Sequence, residues 1–183
     1  MPEKIKVNLL TNYAGDAQYS MLSYAAQIEK SLRLYFTDSC QINIFTPRGA
    51  GFGKSISSNL IGRKIDSYWN RFVKHPVIAG KISGGINHIT DHNNSYLIKY
   101  LDSRQTVVTC HDLIYFKISC KKKNNRSLLP QHLIRKYTVS GIKKAARIIA
   151  DSENTKKDLI ELFDIPSGKI IVIYPGIRQC FGR

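Results

Sequence analysis

The chain contains no run of 18 or more apolar residues, so no membrane-spanning helix is expected. Its N-terminus, MPEKIKVNLL, passes straight into a strand pattern with no long apolar stretch or cleavage signal. The expectation that follows is a cytoplasmic location. Cysteine is sparse: Cys40, Cys110, Cys120 and Cys180 are scattered, with no CxxC pair. That spacing argues against a zinc site and against a disulfide framework. Cys110, inside a strand pattern, reads as a small buried hydrophobe. Acidic residues are few, 13 against 28 lysines and arginines, which leaves a formal net charge of +15. Such an excess attracts polyanions in general. A nucleic-acid module would interleave aromatics with the basic residues in a recognised pattern, and none is present, so no nucleic-acid partner is expected. The charge is instead spread over the chain, with local clusters at Lys121–Lys123, Arg135–Lys136 and Lys143–Lys144. Each cluster taken singly reads as a solvated face.

Several catalytic and phosphate-binding signatures are also missing. The turn Tyr13-Ala14-Gly15-Asp16-Ala17-Gln18 holds one glycine, so it is not the GxGxxG dinucleotide fingerprint. It does precede a helix start, where backbone N–H groups and the helix dipole suit a phosphate. The plain alternative is a βα turn in which Gly15 supplies a positive φ. There is no GxSxG elbow and therefore no support for a Ser-His hydrolase. Gly49-Ala50-Gly51-Phe52-Gly53-Lys54-Ser55 imitates a P-loop, but the motif ending at Ser55 requires glycine at the position of Arg48. A surface loop is the favoured reading of that stretch.

What is present is alternation. Hydrophobic residues make up 43% of 183, enough for one α/β domain with a real core and tight for two. Strand patterns are expected at Lys4–Leu10, Cys40–Thr46, Ile86–Thr90, Thr106–Thr109, Arg147–Ala150 and Ile170–Tyr174. Helical spacing connects them. Met21, Tyr24, Ala25, Ile28, Leu32 and Tyr35 form one apolar stripe. A helix is expected around Asp66–Lys74 and a short one at Tyr96–Leu101. Another begins near Ser127, with Leu133, Ile134, Tyr137, Gly141 and Ala145 as its stripe. A last one follows Ser152 as N-cap and carries Leu159, Ile160 and Phe163. Strands alternating with helices predict a Rossmann-like, doubly wound, mostly parallel sheet with helices on both faces.

Polar groups gather at the strand ends: Gly15-Asp16, His92-Asn93-Asn94, His111-Asp112 and Asp151-Ser152. In an open α/β sheet the carboxyl ends of the strands border the ligand crevice. The imidazole of a histidine has an unperturbed pKa close to neutrality, so His111 is a candidate hydrogen-bond donor, proton carrier or orienting group. Asp112 is its neighbour in an extended chain, and adjacent residues there point apart, so the two do not form a dyad. From spacing alone His111 fits either a satisfied strand-end histidine or a functional one.

The ordered segments VVTCHDLIYF (Val107–Phe116) and IIADSENTKKDLIELFDIPSGKIIVIYPGI (Ile148–Ile177), with Gly15-Asp16-Ala17-Gln18-Tyr19 opening the first helix, resemble the N-terminal domain of glycosyltransferase family 4. The resemblance implies half of a GT-B fold and a retaining, sugar-nucleotide-dependent hexosyltransferase of cell-surface polysaccharide or glycolipid synthesis. It implies that His111 lies beside the transferred sugar. Gly15, Asp16, Gln18, Ser152, Thr155 and Lys156 would approach the donor phosphates and sugar, and His92 and Asn94 the acceptor. A nucleotide-diphosphate sugar would be the donor substrate, with no cofactor and no metal. A saccharide or lipid-linked acceptor would be the other substrate, and an anionic membrane surface a further partner. Asp16 departs from the family pattern, in which many members carry a second glycine or a small apolar residue. Residues 1–176 are expected to form the acceptor-side domain, and 177–183 to begin the connection to a donor-binding domain that the sequence does not contain. On that reading the chain alone is expected to show little or no transfer. The alternatives are a truncated, non-catalytic binding module and, behind it, a P-loop-like nucleotide-binding protein.

Overall fold

The computed structural model describes residues 3–47, 60–118 and 131–176. The Gly49–Ser55 stretch, Cys120, Lys121–Lys123, the Ser127 helix start, Cys180 and the connection expected from residue 177 lie outside the described residues.

Among the described residues six strands form one sheet in the order β2-β1-β3-β4-β5-β6, and every neighbouring pair is parallel. They are β1 (Ile5–Leu10), β2 (Cys40–Phe45), β3 (Ile86–Ile89), β4 (Thr106–Cys110), β5 (Arg147–Ala150) and β6 (Ile170–Val172). The helices are α1 (Tyr19–Tyr35), α2 (Leu60–Trp69), α3 (His75–Ala79), α4 (Ile114–Ile118), α5 (Gln131–Lys144) and α6 (Glu153–Phe163). The expected Rossmann-like α/β architecture is therefore what the chain adopts.

Parallel strands need crossovers, and these are right-handed. The step from β1 to β2 runs one way along the sheet and the later steps run the other way, so α1 lies on one face and the later connections on the opposite one. The opposite face holds the main core, where Leu10, Ile89, Val108 and Ile148 from the strands meet Leu97, Ile142, Leu159 and Phe163. The α1 face is less covered: of the stripe expected on that helix only Ala25 is fully buried, and Tyr35 is largely exposed.

A buried polar row crosses the sheet. Asn43 donates to Asn8 Oδ1 at 3.0 Å, and Asn8 donates to Asn87 Oδ1 at 3.0 Å. Each pair is in register, so side-chain amides that would be costly alone satisfy one another. The helix expected at Asp66–Lys74 is longer than its pattern. It begins at Leu60, widens into a π-helical turn at Asn70–Lys74 and continues as α3 through Pro76. Proline cannot donate to the preceding turn, and the wide turn stands directly before it. The segment expected as a short helix at Tyr96–Leu101 is a 3-10 helix spanning His92–Tyr100, capped by the Asp91 side chain accepting from Asn93 N.

Candidate active site at the carboxyl rim

Because all strands are parallel, their carboxyl ends share one rim. β4 delivers His111 one residue past its end, β5 delivers Asp151, and β3 delivers Thr90 and Asp91. The first turn of α1 faces them. Between lies an open cleft of about 820 Å³ lined by Tyr19, Ser20, Met21 and Tyr24 on one side and His111, Asp112 and Asp151 on the other.

The His111 ring is held on three sides. Its Nε2 lies 3.0 Å from the carbonyl oxygen of Thr90. A carbonyl can only accept, so Nε2 carries the proton and the neutral ring keeps its lone pair on Nδ1. Nδ1 is 3.9 Å from Asp151 Oδ2, too far for a hydrogen bond. The Tyr24 ring meets the imidazole edge-on, with centroids 4.7 Å apart and planes at 86°. Tyr24 is itself anchored: its hydroxyl is 3.2 Å from Thr109 Oγ1, which is 2.8 Å from His88 Nε2. Burial raises the Tyr24 phenol above its ordinary value. Burial, helped by the charge His111 carries when protonated, pushes His88 down to about 4, so His88 is neutral.

Behind His111 stands the start of α6. Ser152 is its N-cap, with Oγ accepting from Thr155 N at 3.1 Å. The buried Thr155 hydroxyl lies 2.9 Å from the His111 carbonyl oxygen and 2.8 Å from Asp151 Oδ1. Ser152 and Thr155 thus fix His111 and Asp151 from behind, while Lys156 sits half-buried on the same turn.

The first βα turn is a 3-10 segment, Ala14–Asp16, and its left-handed residue is Ala17 at φ 54°. Gly15 has no positive φ, so the plain reading of that glycine does not hold. Gly15 is packed against the Tyr13 ring, which a Cβ there would strike. Tyr13 donates to Asp66, and Ser67 donates to Asp16, which ties the turn to α2. Burial raises the Asp16 carboxyl above its ordinary value despite the Ser67 bond and the nearby Arg71. Gln18 accepts from Asn12.

His92 and Asn94 lie beneath the rim and are buried. Asn94 donates to Asn12 Oδ1 at 3.0 Å, and Asn12 donates to Asp91 Oδ2 at 2.6 Å. His92 Nδ1 is 3.5 Å from Asp91 Oδ1 and has no hydrogen-bond partner among the described residues. Burial holds His92 below its ordinary pKa although Asp91 pulls it upward. Burial works against the Asp91 charge, but His92, the bonds from Asn12 and Asn93, and Arg71 outweigh it and keep that carboxyl low.

The structure therefore gathers two of the expected groups. His111, Ser152, Thr155 and Lys156 form one, and Gly15, Asp16 and Gln18 the other, on opposite sides of the α1 N-terminus. His92 and Asn94 support the floor between them. Residues without a sequence signal also take part. Tyr24 was legible only as a member of an apolar helical stripe. Arg71 belongs to no motif, yet its Nη2 donates to Asn93 O at 2.8 Å and its charge acts on both Asp16 and Asp91. The π-helical turn carries it, a distortion often found beside functional sites. Chemically, the rim offers a hydrogen-bond acceptor at His111 Nδ1 that becomes a cationic donor on protonation. Beside it is a helix N-terminus, above a buried floor of amides and carboxylates bonded to one another.

Residues 86–179, just over half of the 183, match the family described as Glycosyltransferase Family 4. That span covers β3 to β6, and with them His111, Ser152 and Thr155. No curated protein matches the chain.

Proposed function

The chain belongs to Glycosyltransferase Family 4, and from that premise we propose that it is the acceptor-side domain of a retaining, sugar-nucleotide-dependent hexosyltransferase. The observation that carries the reading is the fixed tautomer of His111. With Nε2–H committed to Thr90, Nδ1 is left as the group that can meet a ligand in the cleft.

In this reading the donor diphosphate lies against the first turn of α1, where unpaired N–H groups and the dipole favour negative charge. The transferred sugar lies beside His111. Neutral His111 accepts from a sugar hydroxyl through Nδ1. Protonated, with Asp151 3.9 Å away to stabilise the cation, it offsets charge on the departing phosphate. No side chain needs to act as nucleophile if the leaving phosphate takes the acceptor's proton. The acceptor lies over the floor that the buried His92 and Asn94 shape, bordered by the half-buried Arg71. The acceptor is a saccharide or a lipid-linked saccharide, and the route one that builds cell-surface polysaccharide or glycolipid. The charge of +15 supports work at an anionic membrane surface.

The test is titration of the isotopically labelled chain with millimolar uridine- and guanosine-diphosphate sugars, followed by NMR. The imidazole signals of His111 and the amides of Tyr19–Tyr24 should move together. His111→Ala should remove most of the response. If no sugar nucleotide perturbs these residues, the donor-site reading fails.

A further inference from the structure

Helix α5 has two exposed sides. Leu133 and Tyr137 were expected in its buried stripe, yet both are exposed and line a pocket of about 290 Å³ beside the 3-10 helix. The other side is basic. His132, Lys136, Ser140 and Lys144 recur every four residues along it, with Arg135 and Lys143 in the neighbouring row. The clusters Arg135–Lys136 and Lys143–Lys144, each read singly as a solvated face, stand together on one wall of a groove of about 610 Å³ against the end of α6. Lys169 Nζ donates to Lys143 O, and the charge of Arg147 acts on Lys169, so the basic character runs on to the start of β5.

Among the described residues no carboxylate lines the groove. Two acids of α6 are engaged by lysines outside it: Asp158 lies 2.6 Å from Lys117, and Glu161 lies 3.8 Å from Lys157. An anionic ligand would supply the missing counter-charge. The lining narrows its class. Of the apolar residues on the floor, Val139 is partly buried, Phe163 is 5% exposed and Leu162 43%. A helix lying in a bilayer needs a whole stripe of exposed apolar residues, which one leucine does not make. Nucleic-acid bases need exposed aromatic platforms, but Phe163 is packed edge-on against Phe116. What the groove offers is apolar surface for the C–H face of a sugar ring, the half-buried Ser140 hydroxyl, and cations on both sides of it. From His132 to Lys144 the cations span about 18 Å of helix, room for several sugar units.

We propose that the α5–α6 groove binds an acidic polysaccharide, a single glycan chain carrying carboxylates on successive sugars. The inference rests on the transferase reading for its purpose. Helix α5 ends at Lys144, just before β5 begins, so its opposite end points to the carboxyl rim. A polymer held along α5 would stay tethered while its end reaches the cleft at His111.

The isotopically labelled full chain is titrated by NMR with oligomers of alginate, a polyuronate, and separately with neutral dextran oligomers of equal length. Alginate is expected to shift the amides of residues 132–144, Leu162 and Phe163, and dextran to leave them in place. Raised salt should weaken the binding. Lys136→Glu with Lys143→Glu should weaken it about tenfold. Lys30→Glu with Lys81→Glu, on exposed residues elsewhere and with the same change in net charge, should bind like the parent. Lys136→Arg with Lys143→Arg should retain binding. Circular dichroism checks folding, and if the glutamate pair at the groove does not fold, Lys143→Gln alone is used. Absence of alginate binding overturns the proposal. So does equal weakening by both glutamate pairs, which would mean attraction to net charge alone. Single-stranded DNA or phosphatidylglycerol vesicles that displace alginate from these amides at equal charge concentration would give the groove to another class of partner and overturn it too. None of these outcomes touches the sugar-nucleotide titration. Conversely, alginate in the groove with a silent His111 would overturn the transferase reading alone.

Discussion

Thr155 Oγ1 lies 2.9 Å from the carbonyl oxygen of His111, and this contact joins the first turn of α6 to the end of β4 across 44 residues of sequence. The same oxygen lies 2.8 Å from Asp151 Oδ1, so one hydroxyl proton serves two acceptors on either side of the candidate site. Ser152 Oγ, 2.9 Å away, completes the cluster. Thr155→Val keeps the shape and removes the proton, leaving a buried carbonyl unsatisfied. The expected loss is about 1–3 kcal/mol, read from urea unfolding. The His111 signals should also broaden, and Thr155→Ser should restore them. A valine variant as stable as the parent, with sharp His111 signals, would remove the clamp from the account.

Gly141 in α5 packs directly against Ser95 of the 3-10 segment. A Cβ on it would stand 2.2 Å from Ser95 O, a backbone atom that cannot swing aside. Ser95 Oγ donates to Thr138 O at 2.7 Å, which holds the two elements at this spacing. Gly141→Ala gains helix propensity but must push the segments apart. A net destabilisation of about 1–3 kcal/mol is expected in thermal melts. A variant that melts at or above the parent temperature would contradict the packing described.

Acid should weaken the fold through buried histidines. Burial pushes His75 down to about 4, helped by Arg71, and His88 likewise to about 4. Both pKa values are depressed below the ordinary 6.5, so the unfolded chain binds the extra protons between them. Stability is then fully present above about 6.5 and is lost as pH falls toward about 4, where the loss levels off. Each histidine contributes on the order of 3 kcal/mol to that slope. Unfolding free energies measured from pH 7 to 4 check this, with His75→Gln expected to flatten the curve. A pH-independent stability across that window would refute it.

Much of this protein was legible in its sequence because the signals involved are local. Short apolar runs, several of them rich in β-branched residues, marked all six strands, and their alternation with helical stripes implied a parallel sheet. A parallel sheet puts every strand's carboxyl end on one rim, so Asp16, His92, His111 and Asp151 could be assigned a shared border from the order of elements alone. The N-cap at Ser152 was readable for the same reason, since it needs only its own turn.

Tertiary structure alone decided what each rim residue does. The tautomer of His111 depends on a carbonyl 21 residues away, at Thr90. The ring plane depends on Tyr24, which spacing had marked only as apolar, and Tyr24 in turn on Thr109 and His88 from two neighbouring strands. Arg71 enters through a π-helical turn that no local pattern announced. Leu133 and Tyr137 fit a buried stripe, but the neighbouring elements leave a pocket there instead of filling it. Side-chain periodicity is a property of one element, while burial, hydrogen-bond direction and charge depend on which other elements pack against it.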